Sequence, residues 1–540
     1  MDRLVPRSER AGHFGMACLL ALLTSALLLS ASPGVIALPQ LAWLALVPLF
    51  WSLNNQPPRR AALLGLICGL AYYLPLLHWI VIVLATYGQV PLPIAVLALV
   101  LLALYMSGYL ALFAFLCAKT GPRLSLLVFA PACWVALDLL RGLLFTGFPW
   151  MDLAYTQYKL PLLIQVTDLA GHHGLTFLMV LANVLLFTLA ASLVRRKATS
   201  PPAIIAVAAA LLLMASGYNL WRMQTMPTAL AQAEQMEVAV AQGNIPQDQK
   251  WQPAFQRETV DTYLRLSQEM FAAKKPQLVV WPETALPFYP YEHPLFLRLH
   301  SELTRPYRTF LLTGAPHREK ISPDEPITYA NSAFLLSPDG LVVGRYDKQH
   351  LVPFGEYIPL RRILGFASPL VETLGAFTPG QSNTPLSCEN SRIGVLICFE
   401  SIFPEISRRQ AAAGANLLVT VTNDAWFGRS SAPWQHLAMG VFRAVETRKT
   451  LVRAANTGIS AFIDPLGRIQ GASPLFAEYA RSQPVALLNG LTCYVRWGYL
   501  FPWGCLFLTL AGLWRCYASR TGNRKKRDDA EAQNTHKAEG

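Results

Sequence analysis

Hydropathy divides the chain into a long, almost continuously apolar stretch (residues 14–222), a mixed stretch (226–490) and a last apolar run (496–514). At about 20 apolar residues per crossing, the first stretch reads as seven spans, near 14–31, 34–53, 61–85, 91–117, 124–144, 170–194 and 203–222, and the last run as an eighth. From Met236 the pattern changes to strands alternating with helices. MEVAVAQ, QLVVWPE, TFLLTGAP, RIGVLICFE and NLLVTVTND read as strands, and residues 254–273, 293–304 and 404–414 as helices. NSAFLLSP and LVVGRYDK pair across the turn Pro338-Asp339-Gly340, and LVRAANTG, SAFIDPLG and RIQGA finish a mixed sheet. The expected organisation is a membrane domain over 1–225, a catalytic α/β domain over 226–490, a C-terminal span over 491–517 and a disordered basic tail over 518–540.

Loop charges set an orientation. Arg59 and Arg60, Lys119 and Arg123, and Arg195 to Lys197 fall in alternate connections, whereas loops such as TYGQVP lack Lys and Arg. The positive-inside rule puts both termini in the cytoplasm and residues 223–495 on the opposite face, the periplasm of a Gram-negative cell. Arg3, Arg7 and Arg10 before an apolar core mimic a signal peptide, but ASPGVIALP leads straight into another span, so the segment reads as retained.

A hydrophobic fraction of 53% places the chain among membrane proteins, and the expected location is the bacterial inner membrane. The net charge of +13 sits largely in cytoplasmic loops and the tail, so it calls for no nucleic acid. Among nine cysteines no zinc-like spacing occurs; no metal and no cofactor are expected. Only Cys388, Cys398 and Cys493 belong to the exported part, where a Cys388–Cys493 disulfide is permitted but not required. Asp138 and Arg141 are spaced to pair on one helix face, and their alternatives are a structural ion pair or the lining of a lipid-accessible cavity. His172 and His173 are expected in the headgroup region and not as ligands.

Glu283, Lys348 and Cys398 each follow a predicted strand, and strand ends of a layered α/β domain gather along one edge. A carboxylate can take the thiol's proton, and an ammonium can stabilise the thiolate and then an oxyanion. The N–H after Cys398 could be a second oxyanion donor. Singly, each residue has a plainer reading as a core cysteine, a surface carboxylate or a solvated strand end; the set of three is what points to catalysis.

WPET, YDKQHLVPFGEYIP and ICFES, in that order, resemble the Glu-Lys-Cys signatures of the nitrilase superfamily, which has an α-β-β-α sandwich and forms thioesters. With QGNIPQDQKW, TNDAWFGRSSAPWQH and RAANTGISAFIDPLG between spans, the whole chain resembles the apolipoprotein N-acyltransferase family. That resemblance implies Cys398 as nucleophile, Glu283 as base, Lys348 as oxyanion stabiliser and Glu356 as support for the lysine. It links Glu400, Phe399 and Trp251 to activity or substrate contact. A tyrosine is common where Phe399 stands, so any role for that hydroxyl is absent here. Asn331 and Trp426 are further candidates to line the site, with core or turn packing as the alternative. The implied reaction is ping-pong transfer of an acyl chain from a membrane phospholipid, phosphatidylethanolamine by resemblance, to the α-amine of a diacylglyceryl-cysteine on an apolipoprotein, by a monomer. The rivals are a membrane-anchored amidase, in which water resolves the thioester, and a transporter or receptor, which leaves the Glu-Lys-Cys set unexplained.

Overall fold

Side-chain alternation builds the catalytic half. In β1 (Glu234–Gln242), Val238 and Val240 point into one apolar layer while Ala239 and Ala241 point into another, the period of two that a strand buried on both faces requires. The computed structural model describes residues 7–120, 125–320, 327–358 and 377–538; Arg3 and Arg123 lie outside them.

The strands that follow are β2 (Leu278–Val280), β3 (Phe310–Glu319), β4 (Thr328–Leu336), β5 (Val342–Asp347), β6 (Leu386–Cys388), β7 (Ser391–Ile397), β8 (Leu417–Thr422), β9 (Thr450–Ala455), β10 (Ala461–Ile463), β11 (Ile469–Gln470) and β12 (Tyr479–Leu487). They form two mixed six-stranded sheets, as the α-β-β-α sandwich implied by the resemblance requires, in the orders β12-β1-β2-β3-β4-β5 and β11-β10-β9-β8-β7-β6. Each contains a parallel trio, β1-β2-β3 or β7-β8-β9, flanked by antiparallel strands. Val238, Val280 and Leu312 of one sheet share a core with Val395, Val419 and Val452 of the other. The split follows from this: near-continuous apolar strands need cover on both faces, and each sheet supplies one face of the other.

Helix Gln256–Phe271 covers the outer face of the first sheet through Val260, Tyr263 and Leu264. The outer face of the second is covered by Pro404–Ala412 and Ala432–Thr447, and these pack in the same apolar cluster as the membrane bundle. Almost every residue of Ala432–Thr447 is buried, because it lies between sheet and bundle.

Among the described residues, five helices are long and apolar enough to cross a membrane, or six if the bent pair Pro58–Leu76 and Trp79–Tyr87 is one span. The other two expected segments differ. The 34–53 segment is the short Pro39–Leu53, a 3₁₀ turn followed by Val47–Leu53. The 496–514 segment breaks at Gly498 (φ 55°) and then continues in helix Leu500–Ala538. That helix runs through most of the tail expected to be disordered, whose Ala, Glu, Lys and Arg favour helix and which holds no proline.

His172 and His173, expected in the headgroup region, are buried within the protein, enclosed by partners from both halves of the chain. His172 Nε2 lies 2.8 Å from Asp152 Oδ2, and its backbone N–H donates to Glu446 Oε1 at 2.8 Å. Asp152 also pairs with Arg141, which bonds Asp138 at 2.9 Å as its spacing suggested. Asp168 accepts from Arg222 (2.6 Å) and Arg448 (2.9 Å), a second ionic tie between the halves. Cys388 is buried in β6 and Cys493 exposed; both are free thiols.

Candidate functional site

β7 ends at Ile397 and Cys398 turns into the left-handed region at φ 51°, opening the 3₁₀ turn Cys398–Ile402. A non-glycine residue holds that conformation only when its surroundings fix it. Fully buried Glu400 does much of this: Oε2 accepts from Ile397 N (2.7 Å), and Oε1 from Gln349 N (2.6 Å), Tyr346 Oη (3.0 Å) and His350 N (3.2 Å). Burial pushes its carboxyl up to about 7. Glu400 thus braces the turn at Cys398 against the loop after β5, and its oxygens are occupied by protein.

Glu283 lies just beyond β2 and Lys348 just beyond β5, at the same edge as Cys398. Lys348 Nζ is 2.9 Å from Glu356 Oε1 and 3.7 Å from Glu283 Oε1. Asn331 Nδ2 donates to both carboxylates, at 2.8 Å to Glu283 and 3.0 Å to Glu356. The remaining oxygen of each is held by a backbone N–H, Asn423 for Glu283 (2.9 Å) and Val352 for Glu356 (2.8 Å). Gly314 permits the close crossing beneath: a Cβ there would fall 2.5 Å from Thr284 N and 2.7 Å from Glu283 Cα. Burial works against the Lys348 ammonium, but Glu356 and Glu283 more than offset it and hold it above its ordinary range. Burial, and then Glu283, push the Cys398 thiol up to about 12 although Lys348 pulls it down. Cys398 therefore rests as a thiol and needs a proton acceptor before it can attack.

The structure brings together Glu283, Lys348, Cys398, Glu356, Asn331 and Glu400. Phe399 packs edge-on to Phe403 at 5.2 Å and tilts against His350 at 6.0 Å, so it belongs to the apolar wall. Trp251 is half-buried in the turn after Lys250. Trp426 meets Tyr87 of the membrane domain edge-on at 5.7 Å.

Two groups escaped sequence reasoning. Lys250 is buried with Nζ on the Glu283 carbonyl oxygen at 3.0 Å, and burial pushes it down to about 8. Its place beside Trp251 in QDQKW was the available signal, but a polar loop gives no reason to bury a lysine. Asp424, His436 and Arg453 form a polar cluster under Cys398, with Asp424 2.7 Å from Arg453 Nη2 and 3.0 Å from His436 Nδ1. Their spacing along the chain carries no such signal.

Two family models match the chain. The apolipoprotein N-acyltransferase N-terminal domain matches residues 25–185 and the carbon-nitrogen hydrolase domain residues 237–483. A relative from Geobacter metallireducens bearing the name apolipoprotein N-acyltransferase is 46% identical over 88% of this chain and 90% of its own. The chain belongs to the apolipoprotein N-acyltransferase family. Relatives of the same name from Azotobacter vinelandii (36% identical; 85% of this chain, 87% of that one) and Methylococcus capsulatus (33%; 96% and 99%) span both halves as well. Among solved structures, a carbon-nitrogen hydrolase from Helicobacter pylori G27 aligns with 49% of this chain and 94% of its own, at 19% identity and a TM-score of 0.36.

Proposed function

We propose that this chain transfers a fatty acyl group from a membrane phospholipid, phosphatidylethanolamine, to the α-amine of the N-terminal S-diacylglyceryl-cysteine of apolipoproteins, through a Cys398 thioester. Glu283 takes the Cys398 proton as sulfur attacks the ester carbonyl. Lys348 and the Phe399 N–H hold the oxyanion, and Glu283 returns the proton to the departing lysophospholipid. The α-amine then attacks the thioester and loses a proton to Glu283. Collapse forms the amide and expels the Cys398 thiolate, which recovers that proton.

The observation that carries this reading is the meeting of Lys348, Glu283 and Glu356 beside Cys398, next to a rim that membrane segments supply. The turn Ile82–Tyr87 has no buried residue, and its Tyr87 touches Trp426. Val35 and Ile36 are 77% and 84% exposed, and a side chain at neighbouring Gly34 would touch Ser431. Apolar chains entering there stay out of water, which otherwise costs about 0.8 kcal/mol per CH₂.

In the proposed arrangement a monomer in the inner membrane crosses eight times, with both termini cytoplasmic and the catalytic domain periplasmic. The division at residues 225, 490 and 517 follows from it. Incubation with acyl-labelled phosphatidylethanolamine tests the chemistry: the Cys398 peptide should gain one acyl mass and pass it to a diacylglyceryl peptide. Release of free fatty acid instead would favour the amidase, and no acylation would overturn both.

A further inference from the structure

Nothing in the reaction above uses the buried cluster beneath the nucleophile, yet it grips the nucleophile's own peptide. His436, 1% exposed in helix Ala432–Thr447, places Nε2 3.0 Å from the Cys398 carbonyl oxygen and 2.7 Å from Ser401 Oγ. Ser401 Oγ donates to the same carbonyl at 3.0 Å. A carbonyl only accepts, so these contacts call for a hydrogen on Nε2. On the other side of the ring, Nδ1 lies 3.0 Å from Asp424 Oδ1 and 3.0 Å from Arg453 Nη2, and Thr422 Oγ1 donates to Asp424 at 2.9 Å. The ring has no freedom to turn away. Its face stacks at 6.2 Å on Trp150, whose Nε1 donates to Gln435 at 2.7 Å and which packs on Trp79, so the membrane domain closes the last side.

We propose that His436, held by Asp424 and Arg453 and braced by Trp150, is a positioning residue that fixes the Cys398–Phe399 peptide. The peptide whose carbonyl His436 binds is the one whose N–H belongs to Phe399. Fixing the oxygen therefore fixes the direction of the N–H opposite it. Cys398 holds a left-handed φ of 51°, a conformation with a standing tendency to relax, and relaxation would swing that N–H off the oxyanion. The membrane loop carrying Trp150 thereby controls the geometry of acyl transfer without touching the substrate.

This rests on Cys398 being the nucleophile, which Cys398→Ala tests separately through acyl-enzyme formation. The experiment compares His436→Phe, which keeps a flat ring against Trp150 but has no donor, with His436→Gln, which restores an N–H, and Ser401→Ala, a small change that should leave folding intact. Full-length protein is given acyl-labelled phosphatidylethanolamine in detergent micelles. Single-turnover acylation of Cys398, KM, melting temperature and the pH profile of Cys398 alkylation by iodoacetamide are followed.

His436→Phe should slow acylation about 100-fold, the scale of a small misplacement of reacting groups. KM and the midpoint of the alkylation profile should stay unchanged, since alkylation builds no oxyanion. His436→Gln should recover most of the rate, and Ser401→Ala should lose several-fold. Should His436→Phe not fold, His436→Gln and Ser401→Ala still decide. A wild-type acylation rate in Ser401→Ala together with a dead His436→Gln overturns the proposal. So does a His436→Phe protein that acylates at the wild-type rate, or one whose alkylation falls in step with acylation. If Cys398→Ala still forms acyl-enzyme, the nucleophile assignment falls instead, whatever the His436 variants do.

Discussion

Glu356→Gln isolates the electrostatics of the site, because it removes a charge without changing shape. Lys348 Nζ sits 2.9 Å from Glu356 and 3.7 Å from Glu283, so Glu356 holds the ammonium slightly away from the proposed base. Without that charge, Lys348 should close on Glu283. At an effective dielectric constant near 20, unit charges attract by about 4.5 kcal/mol at the longer distance and about 5.7 kcal/mol at the shorter. The difference of about 1.2 kcal/mol opposes the proton transfer that neutralises the Glu283–Lys348 contact and is close to tenfold in rate. Loss of repulsion from Glu356 acts in the same direction. Acylation of Cys398 should fall about 10- to 100-fold, within what a positioned base contributes. Folding should suffer less than the roughly 3–5 kcal/mol typical of a broken buried pair, because Glu283 takes over the ammonium. Single-turnover acylation with labelled phospholipid reads the rate, and a thermal melt reads the fold. A protein that melts lower yet acylates at the wild-type rate would refute the reasoning.

Cys398→Ala should melt as the wild type does and form no acyl-enzyme, read by the mass of the Cys398 peptide. Gly314→Ala drives a Cβ to 2.5 Å from Thr284 N, so it should cost about 1–3 kcal/mol and, by displacing Glu283, slow acylation more than a surface change of equal stability cost. Glu400 is raised to about 7 in the fold from an ordinary carboxyl value of 4.5, so the folded state binds the extra proton between those pH values. Its contribution to stability is therefore lost as pH rises through that window. Melting of Glu400→Gln should lack this component, and an identical pH slope in both proteins would count against it. Arg448→Met leaves Asp168 with Arg222 but deprives it of Arg448 and takes the donor from Gln165 Oε1, so stability in detergent should drop by about 3 kcal/mol or more, read by melting.

The parts of this protein that the sequence determined are those with a local cause. Apolar runs near the thickness of a bilayer gave the membrane helices. Alternation around Val238 and Val240 gave β1, and Pro338-Asp339-Gly340 gave the turn joining β4 to β5. Glu283, Lys348 and Cys398 were legible because each ends a strand, and strand ends share an edge. Tertiary structure decided what depends on partners far along the chain. One expected crossing became a short 3₁₀ turn and helix, and the strands divided between two sheets, a division that alternation along the chain does not assign. His172, polar enough for an interface, is buried because Asp152 and Glu446 meet it from opposite halves. Lys250 and His436 lie inside for the same reason: burying a charged or polar side chain is unfavourable until a distant partner is delivered to it, and hydropathy along a chain carries no record of that delivery.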